Sequence, residues 1–131
     1  MIPRKMPIGI QDFEKLRTDG YVYVDKTAYI YRLAQEGNPY FLGRPRRFGK
    51  SLLLSTIKAY FQGKRELFQA AGGWPELAIA TMEKDWTEYP VFHIDLNVAN
   101  YDRPAALESS LDRNLRFIEN RWERDSADTL A

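Results

Sequence analysis

Residues 44–51 read Arg-Pro-Arg-Arg-Phe-Gly-Lys-Ser, and the interpretation of the whole chain starts from this stretch. A short, continuously apolar run at residues 40–42 precedes it, and a segment with apolar residues every three or four positions follows it. A strand, a glycine-containing turn and a helix in that order form the setting of a phosphate-binding P-loop. Backbone N–H groups of the turn and the positive end of the helix dipole then face the phosphate. The sequence therefore predicts a phosphate-binding loop.

The match to the common P-loop pattern is degenerate at its first position. That pattern is a glycine, four residues and then Gly-Lys-Ser/Thr, whereas Arg44 stands first here and Gly43 lies one residue too early. In the predicted site Gly49 admits the phosphate, Lys50 is the catalytic cation on the β- and γ-phosphates, and the Ser51 hydroxyl binds Mg²⁺. The predicted nucleotide-binding residues are Arg44, Pro45, Arg46, Arg47, Phe48, Gly49, Lys50, Ser51 and Leu52.

The composition is that of a folded protein and excludes several kinds of site. Of the 131 residues, 44% are hydrophobic, 14% are aromatic and 28% are charged, which is enough to build one small core. A formal net charge of +1 provides no overall attraction for nucleic acid or an anionic membrane. Without cysteine, and with His93 as the single histidine, disulfides, thiolate zinc sites and histidine clusters are excluded. We expect no signal peptide, no membrane span and a cytoplasmic location.

Local signals also predict the secondary structure. Helices are predicted at residues 10–17, 26–35, 50–62, 76–82 and 104–124, from caps and from apolar spacings of three and four. Strands are predicted at residues 40–42 and 91–96, the first by its apolar run and the second by alternation. In the last helix an apolar stripe, predicted to pack as core, consists of Leu107, Leu111, Leu115, Ile118 and Trp122.

Four blocks of sequence resemble, in the same order, the predicted AAA-ATPase-like domain. They are residues 8–13, 23–27, 41–53 and 89–95. The resemblance is strong over residues 7–95 and looser over the following helix, and in that family Arg-Pro-Arg-Arg-Phe-Gly-Lys-Ser is the usual P-loop form. The family is similar to bacterial and archaeal P-loop ATPases, and many members carry a nuclease-like domain at the far C-terminal end. The resemblance implies that ATP and Mg²⁺ are the cofactors.

The expected fold class is α/β, as the N-terminal part of an AAA-ATPase-like P-loop NTPase. A parallel sheet flanked by helices is expected, in an incomplete form. We expect one domain over residues 1–131, with lead-in helices at 1–38, the first strand, P-loop and helix at 39–63, and a second strand and long helix at 64–131.

Hydrolysis is in doubt because family members continue into a Walker B strand that ends in acidic residues, and the sequence stops before it. Turnover generally needs such a carboxylate to hold Mg²⁺. Asp95 is the one candidate substitute, although an ordinary role at the end of a strand is the preferred interpretation. Asp25 is interpreted first as a helix cap, and Tyr29 and Tyr31 as core residues or neighbours of adenine.

Three other functions remain open at this point. A nucleic-acid-binding module would use Arg44, Arg46, Arg47 and Lys50 on phosphates, although these arginines also fit a solvated basic turn. A truncated product would have no activity of its own, or would need a partner chain to complete the sheet. A phosphotransferase is disfavoured because no acceptor site can be named.

Overall fold

A computed structural model describes residues 4–70, 74–96 and 102–129 of the chain, with side chains up to Arg121 in the last range. The chain divides into two compact units, Met1–Val91 and Phe92–Ala131. The helices are α1 (Phe13–Thr18), α2 (Thr27–Glu36), α3 (Lys50–Phe61), α4 (Ala78–Met82) and α5 (Pro104–Thr129), with a 3₁₀ turn at Arg65–Leu67. All five predicted helices are confirmed, with their ends shifted by a few residues.

Local chemistry determines both ends of α1. The Asp12 carboxylate accepts hydrogen bonds from the N–H groups of Glu14 and Lys15 at 2.9 and 3.5 Å, which satisfies donors that a helix start leaves free. After the helix, Gly20 has a φ of +77°, and a Cβ there would lie 2.3 Å from the Trp74 ring. Glycine is therefore required at residue 20 both by the left-handed backbone and by the close approach of the indole.

The core of the first unit is a set of aromatic and aliphatic side chains from α1 to α4 and the segments between them. The rings of Phe13 and Phe68 lie 4.9 Å apart, those of Phe68 and Trp86 5.2 Å, and those of Trp86 and Tyr60 5.7 Å. Such pairs contribute roughly 0.5–1.5 kcal/mol each beyond the area they bury. The other buried members of the core are Ile30, Ala59, Leu77 and Ile79.

The prediction of an α/β fold with a parallel sheet is wrong, because the described residues contain no strand. Residues 91–96 form no ladder, and Phe92, Ile94 and Leu96 on one face of the predicted strand are exposed. Near the N-terminus, Lys5 and Tyr21 form an isolated parallel bridge. Alternating polarity produces a strand only where a neighbouring segment supplies hydrogen-bond partners. Among the described residues neither predicted strand has such a neighbour.

Residues 40–42, the other predicted strand, contact the C-terminal end of α2 through Tyr40. The Tyr40 hydroxyl donates to Glu36 Oε2 at 2.9 Å and to the Leu33 carbonyl at 3.3 Å, at the C-terminal end of that helix. The Phe41 side chain is 96% exposed. The apolar run that indicated a buried strand is therefore at the surface, and its tyrosine binds the C-terminal end of α2.

Helix α5 belongs to the second unit. The prediction that its apolar stripe packs as core is wrong for Leu107 and Leu115, whose side chains are exposed. Leu111 and Ile118 are partly buried, and the side chain of Trp122 lies outside the described residues. No helix in the described ranges combines the length and apolar character that a membrane span requires.

A buried cation attaches α1 to the segment that leads to α4. Arg17 is 7% exposed, and its Nε donates to the carbonyl of Leu67 at 2.7 Å. Its Nη2 donates to the carbonyls of Gln69 and Pro75 at 3.0 and 3.2 Å. Burial lowers the pKa of the guanidinium, although an arginine remains charged in proteins. One side chain thus satisfies three backbone acceptors.

We predict that Arg17→Met lowers the free energy of unfolding by about 3 kcal/mol, because it leaves partly buried carbonyls without a donor. Urea denaturation followed by circular dichroism measures the change. Lys15→Met is the matched control, since Lys15 is an exposed cation on the same helix and should change stability by less than about 0.5 kcal/mol. Equal losses in the two variants would contradict a structural role for the guanidinium.

Candidate phosphate-binding site

Residues 44–49 form an exposed turn that leads directly into α3. Gly49 precedes the helix with a φ of +78°, and Arg47 has a φ of +67°. The Gly49 carbonyl accepts the first helical hydrogen bond, from the Leu53 N–H at 3.0 Å. The N–H groups of the first helical turn have no acceptor within a helix. A ligand with acceptor oxygens can therefore bind at the start of α3, where the helix dipole is positive.

A cleft of about 330 Å³ lies beside this turn, and we call it the basic cleft. One side is formed by the turn and the first residues of α3, and the other by the lead-in segment, residues 22–26. From the turn and helix the cleft is lined by Arg44, Phe48, Gly49, Lys50 and Leu52, and from the lead-in segment by Val22, Tyr23, Val24 and Lys26.

The charge of the basic cleft favours an anion. Its lining contains the cations Lys26, Arg44 and Lys50 and, among the described lining residues, no carboxylate. In the described ranges none of the three cations takes part in an ion pair. Three unpaired positive charges near one helix N-terminus complement a phosphate group by charge and by hydrogen bonding.

The structure brings together only some of the predicted site residues. Pro45, Arg46, Arg47 and Ser51 are exposed and do not line the basic cleft. The described residues also contain no group of three or more His, Cys, Asp or Glu able to hold a metal. Ser51, the residue predicted to bind Mg²⁺, is thus among those that the basic cleft does not include.

Comparison with known proteins identifies the family. Residues 7–130 match the family model described as Predicted AAA-ATPase. The chain belongs to the predicted AAA-ATPase family. An uncharacterized protein in the vnfD 5′ region of Azotobacter chroococcum mcd 1 is 53% identical over 70 residues, which is 53% of this chain and 14% of that protein. The chain therefore matches only a small part of the length of this relative. No solved structure matches.

In this predicted AAA-ATPase the aromatic residue beside the turn is Tyr23. The sequence leaves Tyr29 and Tyr31 as either core residues or neighbours of adenine; Tyr31 packs against the core, and Tyr29 is exposed. Tyr23 lines the basic cleft and packs edge-on against Phe13, with the ring centres 5.3 Å apart. Burial raises the pKa of its hydroxyl. The available signal was the position of Tyr23 in the alternating segment just before Asp25.

Asp25 holds the lead-in segment in place through a set of contacts that we call the Asp25 clamp, formed by Asp25, Thr27, Ala78 and Ile79. Asp25 Oδ1 accepts from the N–H and hydroxyl of Thr27 at 2.9 and 2.6 Å. Its Oδ2 accepts from the Ala78 N–H at 2.7 Å, and the Thr27 hydroxyl accepts from the Ile79 N–H at 3.1 Å. The predicted N-cap position shifts by one residue, since Lys26 precedes α2 and makes no side-chain cap hydrogen bond, but the Asp25 side chain accepts from the first N–H of α2 and also from the first turn of α4.

We predict that the stabilising effect of Asp25 depends on pH. Burial alone would raise the pKa of this carboxyl, but the hydrogen bonds from Thr27 and Ala78 lower it below its usual value. When folding lowers the pKa of a carboxyl group, the carboxylate contributes its full stabilisation at pH values above the pKa of the unfolded state, about 3.9. This stabilisation is lost as the pH falls through the pKa of the folded state. Asp25→Asn should therefore cost about 1 kcal/mol at pH 7, given the partial exposure of the side chain.

The measurement is urea denaturation of both proteins between pH 7 and pH 3. The stability difference between the parent protein and Asp25→Asn should shrink below about pH 4. Asp19→Asn is the control, because Asp19 is exposed and its side chain makes no hydrogen bond within the described residues. A difference for Asp25→Asn that stays constant over this range would show that the carboxylate charge is not what stabilises the clamp.

Proposed function

We propose that this chain binds ATP together with Mg²⁺ in the basic cleft. The observation that carries the proposal is that three cations without ion-pair partners in the described residues line one cleft together with the start of α3. Membership of the predicted AAA-ATPase family supports nucleotide use in general. A volume of about 330 Å³ lies within the range of small-ligand pockets.

In this proposal the turn and the first turn of α3 bind the phosphates. The Lys50 ammonium neutralises the terminal phosphates, and Gly49 leaves the backbone open, since a Cβ built there has no atom within 4 Å. Arg44 from the turn and Lys26 from the lead-in segment add positive charge to the lining of the basic cleft. Ser51 lies on the first turn of α3, from which its hydroxyl would ligate Mg²⁺ held by the phosphates.

The apolar part of the basic cleft suits the base of the nucleotide. Val22, Tyr23 and Val24 line it from the lead-in segment, and Phe48 lines it from the turn. Aromatic and branched side chains offer flat and apolar surface on which a purine packs. The Asp25 clamp would keep these residues at a constant position relative to α4 while the exposed turn adapts to the phosphates.

The proposal concerns binding and not turnover. Among the described lining residues of the basic cleft there is no carboxylate to hold Mg²⁺ or orient a water molecule. Asp95, considered as a substitute, is exposed and belongs to the second unit. Because phosphoryl transfer to water needs such groups, we assign no hydrolytic role to the described residues.

Binding of a nucleic acid is the second candidate, and one observation favours it. Arg46 and Arg47 are exposed, lie outside the basic cleft and form no ion pair within the described residues. They are therefore available to a phosphate backbone. Such binding would weaken steeply with salt and would be indifferent to ATP.

The first test is a titration with a fluorescent ATP analogue and Mg²⁺, with unlabelled ATP as competitor. We expect Lys50→Ala to raise the Kd by at least about tenfold, because it removes a charge-assisted contact with phosphate. Lys58→Ala is the matched control, since Lys58 is a lysine of the same helix that does not line the basic cleft, and it should leave the Kd unchanged. Equal binding by both variants would refute the site, and displacement by an oligonucleotide alone would favour the second candidate.

A second test separates backbone strain from ligand binding. Gly49 and Gly9 have φ values of +78° and +70°, and a Cβ at either position meets nothing within 4 Å. Gly49→Ala and Gly9→Ala should therefore lower the free energy of unfolding by a similar amount, about 1 kcal/mol. Only Gly49→Ala should also weaken binding of the ATP analogue, because only that residue sets the approach of the phosphate to α3. Unchanged affinity in Gly49→Ala would count against the phosphate position.

A further inference from the structure

A second cleft, of about 220 Å³, lies in the first unit where the C-terminal part of α3 meets the segment after α4. We call it the acidic cleft. Its walls combine aromatic rings with carboxylates, and the proposed nucleotide site uses none of them. Its lining includes the aromatic side chains of Tyr60, Phe61, Trp86 and Tyr89 and the carboxylates of Glu83 and Asp85.

The charge of the acidic cleft is opposite to that of the basic cleft. Glu83 and Asp85 line it, and no described lining residue is a lysine, arginine or histidine. Glu83 Oε2 accepts a short hydrogen bond from the Tyr60 hydroxyl, and Oε1 accepts from the N–H groups of Lys84 and Asp85 at 3.1 and 3.2 Å. The bond from Tyr60 lowers the pKa of Glu83, which keeps this carboxylate ionised near neutral pH.

The second carboxylate is available to a ligand. The Asp85 side chain is exposed and makes no hydrogen bond or ion pair within the described residues. Glu83 is held by three donors, so it provides a charge at a constant position, while Asp85 retains its full hydrogen-bonding capacity. A donor-rich cation matches this pair of carboxylates.

The rings of the acidic cleft are held by one another and by the backbone. The ring centres of Tyr60 and Trp86 lie 5.7 Å apart and those of Phe61 and Tyr89 6.1 Å, both edge-on. The Tyr89 N–H donates to the Phe61 carbonyl at 2.8 Å, which attaches this segment to the end of α3. Tyr89 is exposed, so its ring is open to solvent. Electron-rich faces of tyrosine and tryptophan attract organic cations.

Trp86 bears two features that reduce stability. Its φ is +45°, in a region that bulky residues rarely adopt, and its buried Nε1–H meets no acceptor in the part of the chain that the structure describes. Each feature lowers the stability of the folded chain. Their concentration at one residue that lines a cleft indicates that the position of this side chain matters for more than local stability.

We propose that the acidic cleft binds an organic cation, an alkylammonium or alkylguanidinium group, with its charge beside Glu83 and Asp85 and its stem against the aromatic rings. The proposal is independent of nucleotide binding at the basic cleft. A divalent metal fits less well, since hard cations need about six oxygen ligands and the described residues contain no group of three or more metal-binding side chains. The cation comes either from a free amine or from a lysine or arginine side chain of a peptide.

The test is an NMR titration of the full chain that follows the indole Nε1–H signal of Trp86, assigned by its loss in Trp86→Phe. The probes are agmatine, cadaverine, N-acetyl-arginine amide, the neutral N-butylurea and MgCl₂ alone. We expect saturable shifts with the cationic probes at roughly millimolar Kd and none with N-butylurea. Agmatine or cadaverine binding without the blocked arginine would assign a free amine, and binding of the blocked arginine would assign a peptide side chain.

Two variants test whether the Asp85 carboxylate and the Tyr89 ring bind the cation. Asp85→Asn should raise the Kd by at least about fivefold, and Tyr89→Leu should weaken binding while leaving both charges in place. Glu66→Gln is the control, because Glu66 is an exposed carboxylate outside the acidic cleft. Absence of saturable shifts, an equal response to N-butylurea, unchanged affinity in Asp85→Asn, or shifts with MgCl₂ alone would each overturn the proposal.

Discussion

The first unit depends on one carboxylate that binds the starts of two helices. Asp25 accepts from the N–H of Thr27 at the start of α2 and from that of Ala78 at the start of α4. Helix N-termini leave donors without partners, so a single acceptor between two of them both satisfies the donors and determines how the helices meet. The lead-in segment that ends at Asp25 is thereby held where it forms one wall of the basic cleft.

A continuous series of packed rings connects the walls of the two clefts. Tyr23 of the basic cleft contacts Phe13, Phe13 contacts Phe68, and Phe68 contacts Trp86 of the acidic cleft, with ring centres 4.9–5.3 Å apart. Protein interiors are close-packed, so rings in contact leave little free volume for independent movement. One core therefore contributes to the geometry of both the basic cleft and the acidic cleft.

Only the part of the candidate site that comes from residues 44–51 and the start of α3 was predictable from the sequence. The glycine, lysine and arginines of residues 44–51 and the helix behind them are adjacent in the chain, so spacing alone placed Gly49 and Lys50 at the start of α3. The rest of the lining includes residues from a segment much earlier in the chain, Tyr23 and Lys26 among them. No periodicity relates these two segments, because tertiary packing, including that of α1 against α3, brings them together.

By itself the sequence determined the features that arise within a few residues of each other. These are the helices, the Asp12 cap and the positive charge of residues 44–51, because neighbouring side chains and backbone groups create them. Tertiary structure alone decided which apolar segments are buried and which have a hydrogen-bonded neighbour. Residues 40–42 read as a buried strand, yet Tyr40 binds the end of α2 and Phe41 is exposed, because a strand requires a hydrogen-bonded neighbour that local composition cannot specify.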